Sequence, residues 1–326
     1  MKHRRFGQLG WSVSEIGFGS WALGSNWGPQ NDDDSVAAIH RALDLGCNFI
    51  DTARAYDDGR SERIIARALK GRPRGSVYVA TEVPPVLPGD WPPSPYDTIE
   101  QRFPEAHIRA EVDKSLRDLE TDCLDLVQIH TWSRGWNRDP SAFQVLRALR
   151  KEGKVRGIGV STPEHDQNAV IDLIRGGWVD TVQLIYNIFS QEAQEGLLAE
   201  AADHNVGVIV RVAFDESSLT GKLTDLTRFP EGDIRGNYFA GDRLARTVRR
   251  VKAVEAAIAG EEPDTATAAL KFALKPAAVS TVIAGIRNPW QAEKNCAVGD
   301  MAPLSGRLEQ ELRKHYWRRA FWHSGK

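Results

Sequence analysis

Three cysteines in 326 residues, Cys47, Cys123 and Cys296, are far apart and odd in number. With no C-x-x-C spacing they offer neither a disulfide framework nor a metal site, and they fit a reducing compartment. No apolar run approaches the roughly 20 residues of a membrane-spanning helix. The opening Met1-Lys-His-Arg-Arg-Phe-Gly7 lacks the apolar stretch of about 7–15 residues that a secretory signal needs. The expectation is a cytoplasmic protein without a membrane partner. Charge of either sign is not in excess: 42 basic and 44 acidic residues leave a net charge of −2, with the signs interspersed. A basic stripe for nucleic acid is therefore missing. Low-complexity tracts and interdomain linkers are absent too, so residues 1–326 read as one domain.

What is present is an ordinary globular composition, 41% hydrophobic and 26% charged, carrying a recurrent unit. An amphipathic helix is followed by a glycine turn and then a short β-rich run. Asn31-Asp-Asp-Asp-Ser35 offers a cap and acidic first-turn residues for a helix from Val36 to Leu45. Gly46 closes it, and Asn48-Phe-Ile-Asp51 follows as a strand. The stripe Ile108, Val112, Leu116 and Leu119 leads to the strand Leu124–His130. Leu146–Glu152 leads to Val155–Ser161, Ile171–Arg175 to Thr181–Tyr186, and Leu197–His204 to Val206–Val212. Ile16–Gly19, Val77–Thr81 and Thr281–Ala284 complete eight candidate strands. Short, fully apolar strands alternating with helices predict a parallel sheet covered on both faces. Eight units favour closure into a single (β/α)8 TIM barrel, with a β-hairpin around Phe6 and Val13 across its floor.

In such a barrel chemistry belongs to the loops after the strands. Three are long. Val83–Pro104 holds seven of the sixteen prolines and is expected to be stiff, Thr131–Pro140 carries Trp132 and Trp136, and Ala213–Asp242 is placed to cover a ligand. The strand ends carry Asp51 with Tyr56 close behind, Thr81-Glu82, and His130. Four ionisable side chains from three adjacent strand ends thus converge at one mouth. Separate hydrogen-bonded residues would account for each alone; convergence on the catalytic face favours function. Of the aromatic residues on these loops, Trp21 and Trp132 are the expected substrate walls, and Trp91 is expected to pack among prolines.

Several ordered motifs resemble those of the aldo-keto reductase superfamily. They are Gly17-Phe-Gly-Ser-Trp21, Asp51-Thr-Ala-x-x-Tyr56, Gly59-Arg-Ser-Glu62 and the run Ser115–His130. Lys151–Ser161, Gln183 with Tyr186-Asn187, Leu219-Thr-Gly-Lys222 and Ile283–Pro289 with Asn295 continue the series over nearly the whole chain. The resemblance implies an NADP(H) site without a Rossmann glycine loop. It implies that Ser161, Thr162 and Gln183 hold the nicotinamide carboxamide, with Ser20, Trp21 and Asp51 bordering the cofactor. Arg211 would lie against the nicotinamide, and Leu219, Gly221, Lys222 and Arg235 along the pyrophosphate. Gly285, Arg287, Gln291 and Asn295 would take the adenosine end, with Arg287 clamping a 2′-phosphate and favouring NADP over NAD.

The family's catalytic tetrad is Asp, Tyr, Lys and His. Asp51, Tyr56 and His130 match, but the lysine position reads Glu82, and no lysine occurs between Lys70 and Lys114. A lysine cation lowers the phenol below its usual value of about 10, whereas a carboxylate acts in reverse. Beside Asp51, Glu82 also makes a like-charged pair in which one member tends to hold a proton. Several roles are open to Glu82: a protonated donor to substrate, an ionised base, a carboxylate neutralised by an arginine such as Arg54, or a residue turned away from a site that has lost the usual reaction. The leading function is an NADP(H)-dependent oxidoreductase for a carbonyl or alcohol of a small polar, sugar-like molecule. The alternatives are a redox-neutral epimerase or isomerase using bound NADP(H), and a catalytically inactive cofactor-binding regulatory protein.

Overall fold

The computed structural model describes residues 1–24, 27–73, 75–86, 93–94 and 96–319. Trp91 lies outside these residues. Two short antiparallel strands, β1 (His3–Phe6) and β2 (Trp11–Ser14), form the expected hairpin, with Phe6 opposite Trp11. Eight further strands follow: β3 (Ile16–Gly19), β4 (Phe49–Asp51), β5 (Tyr78–Val83) and β6 (Leu124–Ile129). Then come β7 (Val155–Ser161), β8 (Thr181–Ile185), β9 (Gly207–Arg211) and β10 (Val279–Gly285). They close into a barrel in the order β10-β3-β4-β5-β6-β7-β8-β9, every pair parallel.

The hairpin closes the floor because its apolar residues have nowhere else to go. Phe6, Trp11 and Val13 pack on Phe49, Ala80, Leu126, Ile209 and Ile283, all inside the barrel. Trp11 stacks on Tyr78 with ring centroids 4.6 Å apart. Gly7, at φ 48°, lets the hairpin touch β9: a Cβ there would lie 2.3 Å from the Gly207 nitrogen.

Strand side chains alternate, so moving two residues up from that apolar layer reaches the next inward layer. That step leads from Phe49 to Asp51, Ala80 to Glu82, Leu126 to Gln128, Ile209 to Arg211 and Ile283 to Gly285. The register therefore sets a polar layer directly above an apolar plug. Space for it comes partly from Gly159, whose Cβ would fall 2.3 Å from the Thr181 hydroxyl.

The helices lie outside. The first long one runs Asp32–Asp44, four residues earlier than the apolar pattern predicts, because the Asn31 side chain accepts from the backbone N–H groups of Asp33 and Asp34. Three aspartates then occupy the positive end of its dipole. Ser141–Lys151 likewise starts ahead of the expected Leu146, directly after Pro140. Among the described residues no helix is long and apolar enough to cross a membrane.

Candidate active site

Because all eight barrel strands run parallel, their C-terminal ends share one mouth. Asp51 ends β4, Glu82 lies near the end of β5, and His130 follows β6 directly. Ser161 ends β7, Gln183 sits within β8 and Arg211 ends β9. Two hydrogen bonds tie this ring together. The Gln183 amide donates to Asp51 Oδ1 across the barrel at 2.7 Å. His130 Nδ1 meets Glu82 Oε2 at 2.5 Å. A carboxylate partner places the ring hydrogen on Nδ1, which leaves Nε2 of the neutral imidazole as its basic atom. Asp51 and Glu82 are each 2% exposed. Glu82 Oε1 and Ser161 Oγ, also buried, have no hydrogen-bond partner among the described residues.

Burial, and then the nearby Glu82 charge, raises Asp51 well above the usual carboxylate range, against the Gln183 hydrogen bond and Arg211. Tyr56 is raised by burial first, then by Glu82 and Asp51, with Arg211 opposing and Glu216 adding. The phenol therefore keeps its proton at neutral pH. Trp21 stacks beside Tyr56 with centroids 6.4 Å apart and meets Trp27 edge-on at 5.3 Å.

The Arg54 reading of Glu82 is not supported. Its guanidinium is turned outward to Asp58 at 2.6 Å, Asp118 at 3.4 Å, Glu111 at 3.7 Å and Glu62 at 3.9 Å. Two helices, Arg60–Leu69 and Glu105–Asp118, supply three of those carboxylates and draw it away from the mouth. The cation that does act on Asp51 and Tyr56 is Arg211. Arg211 itself donates to the Thr162 carbonyl at 2.8 Å and lies 3.6 Å from Glu164.

Trp132 needs a further correction. It is 1% exposed, edge-on to Trp136 at 5.5 Å and packed on Phe143 at 5.0 Å, with its indole N–H donated to Asn137. Those partners make it part of the outer core, not a substrate wall. The Thr162 hydroxyl donates to Gln167 at 2.7 Å, so of the Ser161–Thr162 pair it is Ser161 whose hydroxyl is unengaged.

The loops after β3, β9 and β10 meet beyond this floor. Leu219 is buried, and Gly221 at φ 72° presses against Thr265. Lys222 lies over Trp290 at 4.8 Å. Arg235 is paired with Asp233 at 2.7 Å, donates to Ser217 and covers Trp27 at 4.6 Å. Arg287 donates to Gln30 at 2.9 Å and to the Pro29 carbonyl at 2.5 Å, while its backbone N–H donates to Gln291. The Asn295 amide donates to the Gly285 carbonyl at 3.2 Å. Burial and then the neighbouring Arg235 charge lower the Arg287 pKa, so two guanidiniums share one carboxylate, Asp233.

This architecture has close counterparts. The Aldo/keto reductase family model matches residues 15–316. Aldo-keto reductase YhdN of Bacillus subtilis (strain 168) is 34% identical over 241 residues, covering 73% of this chain and 69% of that protein. The NADH-specific methylglyoxal reductase of Escherichia coli (strain K12) is 28% identical over 315 residues, 91% of this chain and 93% of its own. Among solved structures, a glycerol dehydrogenase from Gluconobacter oxydans superimposes with a TM-score of 0.77 at 27% identity, covering 96% and 94% of the two chains.

The chain belongs to the aldo/keto reductase family.

As an aldo/keto reductase it carries acidic groups at the mouth that the strand pattern alone did not single out. Glu216, on the loop after β9, is pushed up to about 8 by burial and then by Asp215, against Arg211 and Arg319. Val212, Asp215, Glu216 and Ser217 on that loop all have positive φ, between 49° and 74°. Such strain persists only where surrounding contacts hold it. Here Arg319, from the far end of the chain, clasps Asp215 at 2.5 Å, and Ser218 and Tyr238 add to the grip. The available signal was an acidic pair on a loop long enough to cover a ligand.

Proposed function

We propose that this aldo/keto reductase is an NADP(H)-dependent oxidoreductase acting on a carbonyl or alcohol of a small, hydroxylated molecule, with Glu82 and His130 as its acid–base pair. The 2.5 Å contact between Glu82 and His130 carries the reading. A buried carboxylate against imidazole Nδ1 fixes the ring and its tautomer, which leaves His130 Nε2 to give or take a proton. Tyr56, with its proton firmly held, serves as a hydrogen-bond donor to the substrate oxygen. Asp51 keeps Gln183 in place, and Trp21 forms one side of the substrate space.

The residues present fit a dinucleotide. Ser161 offers a buried, unengaged hydroxyl, and Gln183 an oriented amide, for a carboxamide. Lys222 and Arg235 suit a pyrophosphate, and Arg287 beside Arg235 suits a 2′-phosphate, which supports NADP(H) over NAD(H). When bound, the cofactor supplies or accepts the hydride. Methylglyoxal and glycerol, named for two of the relatives, are both small and oxygen-rich.

The test is steady-state turnover of His130→Gln and Glu82→Gln with the cofactor saturating. Removing either member is expected to lower kcat by about 10²–10⁴-fold. Retention of full kcat in both variants would refute the acid–base assignment.

A further inference from the structure

Carboxylates gather at the floor of the mouth. Asp51 and Glu82 lie on adjacent strands β4 and β5, close enough for the Glu82 charge to act on Asp51. Glu164 and Glu216 flank them on the loops after β7 and β9. Arg211 acts on Asp51 and is already engaged by the Thr162 carbonyl and Glu164, and Arg319 acts on Glu216. Arg54 is turned outward to four other carboxylates. Asp51 is raised well above the usual carboxylate range by burial and then by the Glu82 charge.

Gln183, one of the groups suited to the nicotinamide carboxamide, is hydrogen-bonded to Asp51 at 2.7 Å. The place for the ring and the carboxylate pair are therefore one hydrogen bond apart. The oxidised nicotinamide ring carries a positive charge and the reduced ring none, while the rest of the two molecules is the same. A fixed negative charge under water-poor walls discriminates between them through the ring alone.

We infer, on the cofactor reading given above, that the Asp51–Glu82 floor makes this protein hold oxidised cofactor more tightly than reduced cofactor and so sets it to oxidise alcohols. In that direction the bound cofactor would take the hydride of the carbinol carbon, and His130 Nε2 would take the proton of the hydroxyl. Two electrons leave the substrate, its C–O bond becomes a carbonyl, and the proton passes on to solvent. The carboxylate at position 82 serves both halves of the step: its charge favours the cationic ring, and its contact with Nδ1 keeps Nε2 as the basic atom of His130.

Equilibrium binding of NADP+, NADPH and adenosine 2′,5′-bisphosphate tests this without turnover. Dissociation constants would be measured by fluorescence titration for the wild type, Glu82→Gln and Asp51→Asn. The wild type is expected to bind NADP+ about tenfold more tightly than NADPH, equivalent to about 1.4 kcal/mol. Glu82→Gln should bring that ratio close to one while leaving the bisphosphate, which has no nicotinamide, unchanged. Unchanged bisphosphate binding also reports that the variant is folded. Equal ratios in the wild type and Glu82→Gln would overturn the inference and leave the cofactor reading standing. Failure of all three ligands to bind the wild type would overturn the cofactor reading itself.

Discussion

A single residue type, the carboxylate, decides the character of this site. With Glu82 in place of a lysine, the groups around Tyr56 hold its proton on instead of drawing it off. The strand pattern made Asp51, Glu82 and His130 legible, because strand ends in a parallel barrel share one mouth. What it could not supply is which side chains bond. Arg54 lies two residues from Tyr56, yet three of its four carboxylate partners are on helices, and Arg211, far along the chain, is the cation that acts on Tyr56. Glu216 gives a test at this scale. Its value rises from about 4.5 to about 8 in the fold, so the native state holds a proton there that the unfolded chain releases. Stability from this group is present below about pH 4.5 and is lost as pH rises through about 8. The charged neighbours are Asp215, Glu164, Arg211 and Arg319. Urea midpoints at both ends of that window should fall less in Glu216→Gln than in the wild type; identical falls would rule this contribution out.

The elements were the most readable part. Val155–Ser161 coincides with the strand observed, and the glycine turns mark where each unit ends. Helix starts were less readable, since caps such as Asn31 extend a helix beyond its apolar stripe. Loop contacts were illegible because they join distant parts of the chain. Trp132 is buried by Phe143 and Trp136, and Asp215 is paired with a residue 104 positions away. That pair has side chains 1% and 0% exposed, so breaking it leaves a buried charge uncompensated. Arg319→Met is expected to lower stability by about 3–5 kcal/mol in chemical denaturation. A loss below about 1 kcal/mol would show that the β9 loop is held by other contacts. The loop after β10 has its own test. Arg287→Met should raise KM for NADPH roughly tenfold while leaving that for NADH nearly unchanged. Equal effects on both would mean that Arg287 serves the Gln30 and Pro29 contacts and not a 2′-phosphate.

At the scale of the whole molecule, balanced charge and a closed barrel leave one polar face on which chemistry can be built. The apolar plug of Phe6, Trp11 and Val13 seals the other end, so the layer holding Asp51, Glu82 and Arg211 opens only to the mouth. Eight helix–turn–strand units foretold this closure, whereas the charge gathered at that mouth is something only the folded chain assembles. The most direct measurement is nicotinamide turnover with panels of small polyols and aldehydes, run side by side for the wild type and Glu82→Lys. The wild type is expected to turn over, with alcohol oxidation favoured, and Glu82→Lys to shift the balance toward carbonyl reduction. No turnover by the wild type in either direction, with activity appearing only in Glu82→Lys, would contradict the account: Glu82 would then block hydride chemistry and not support it.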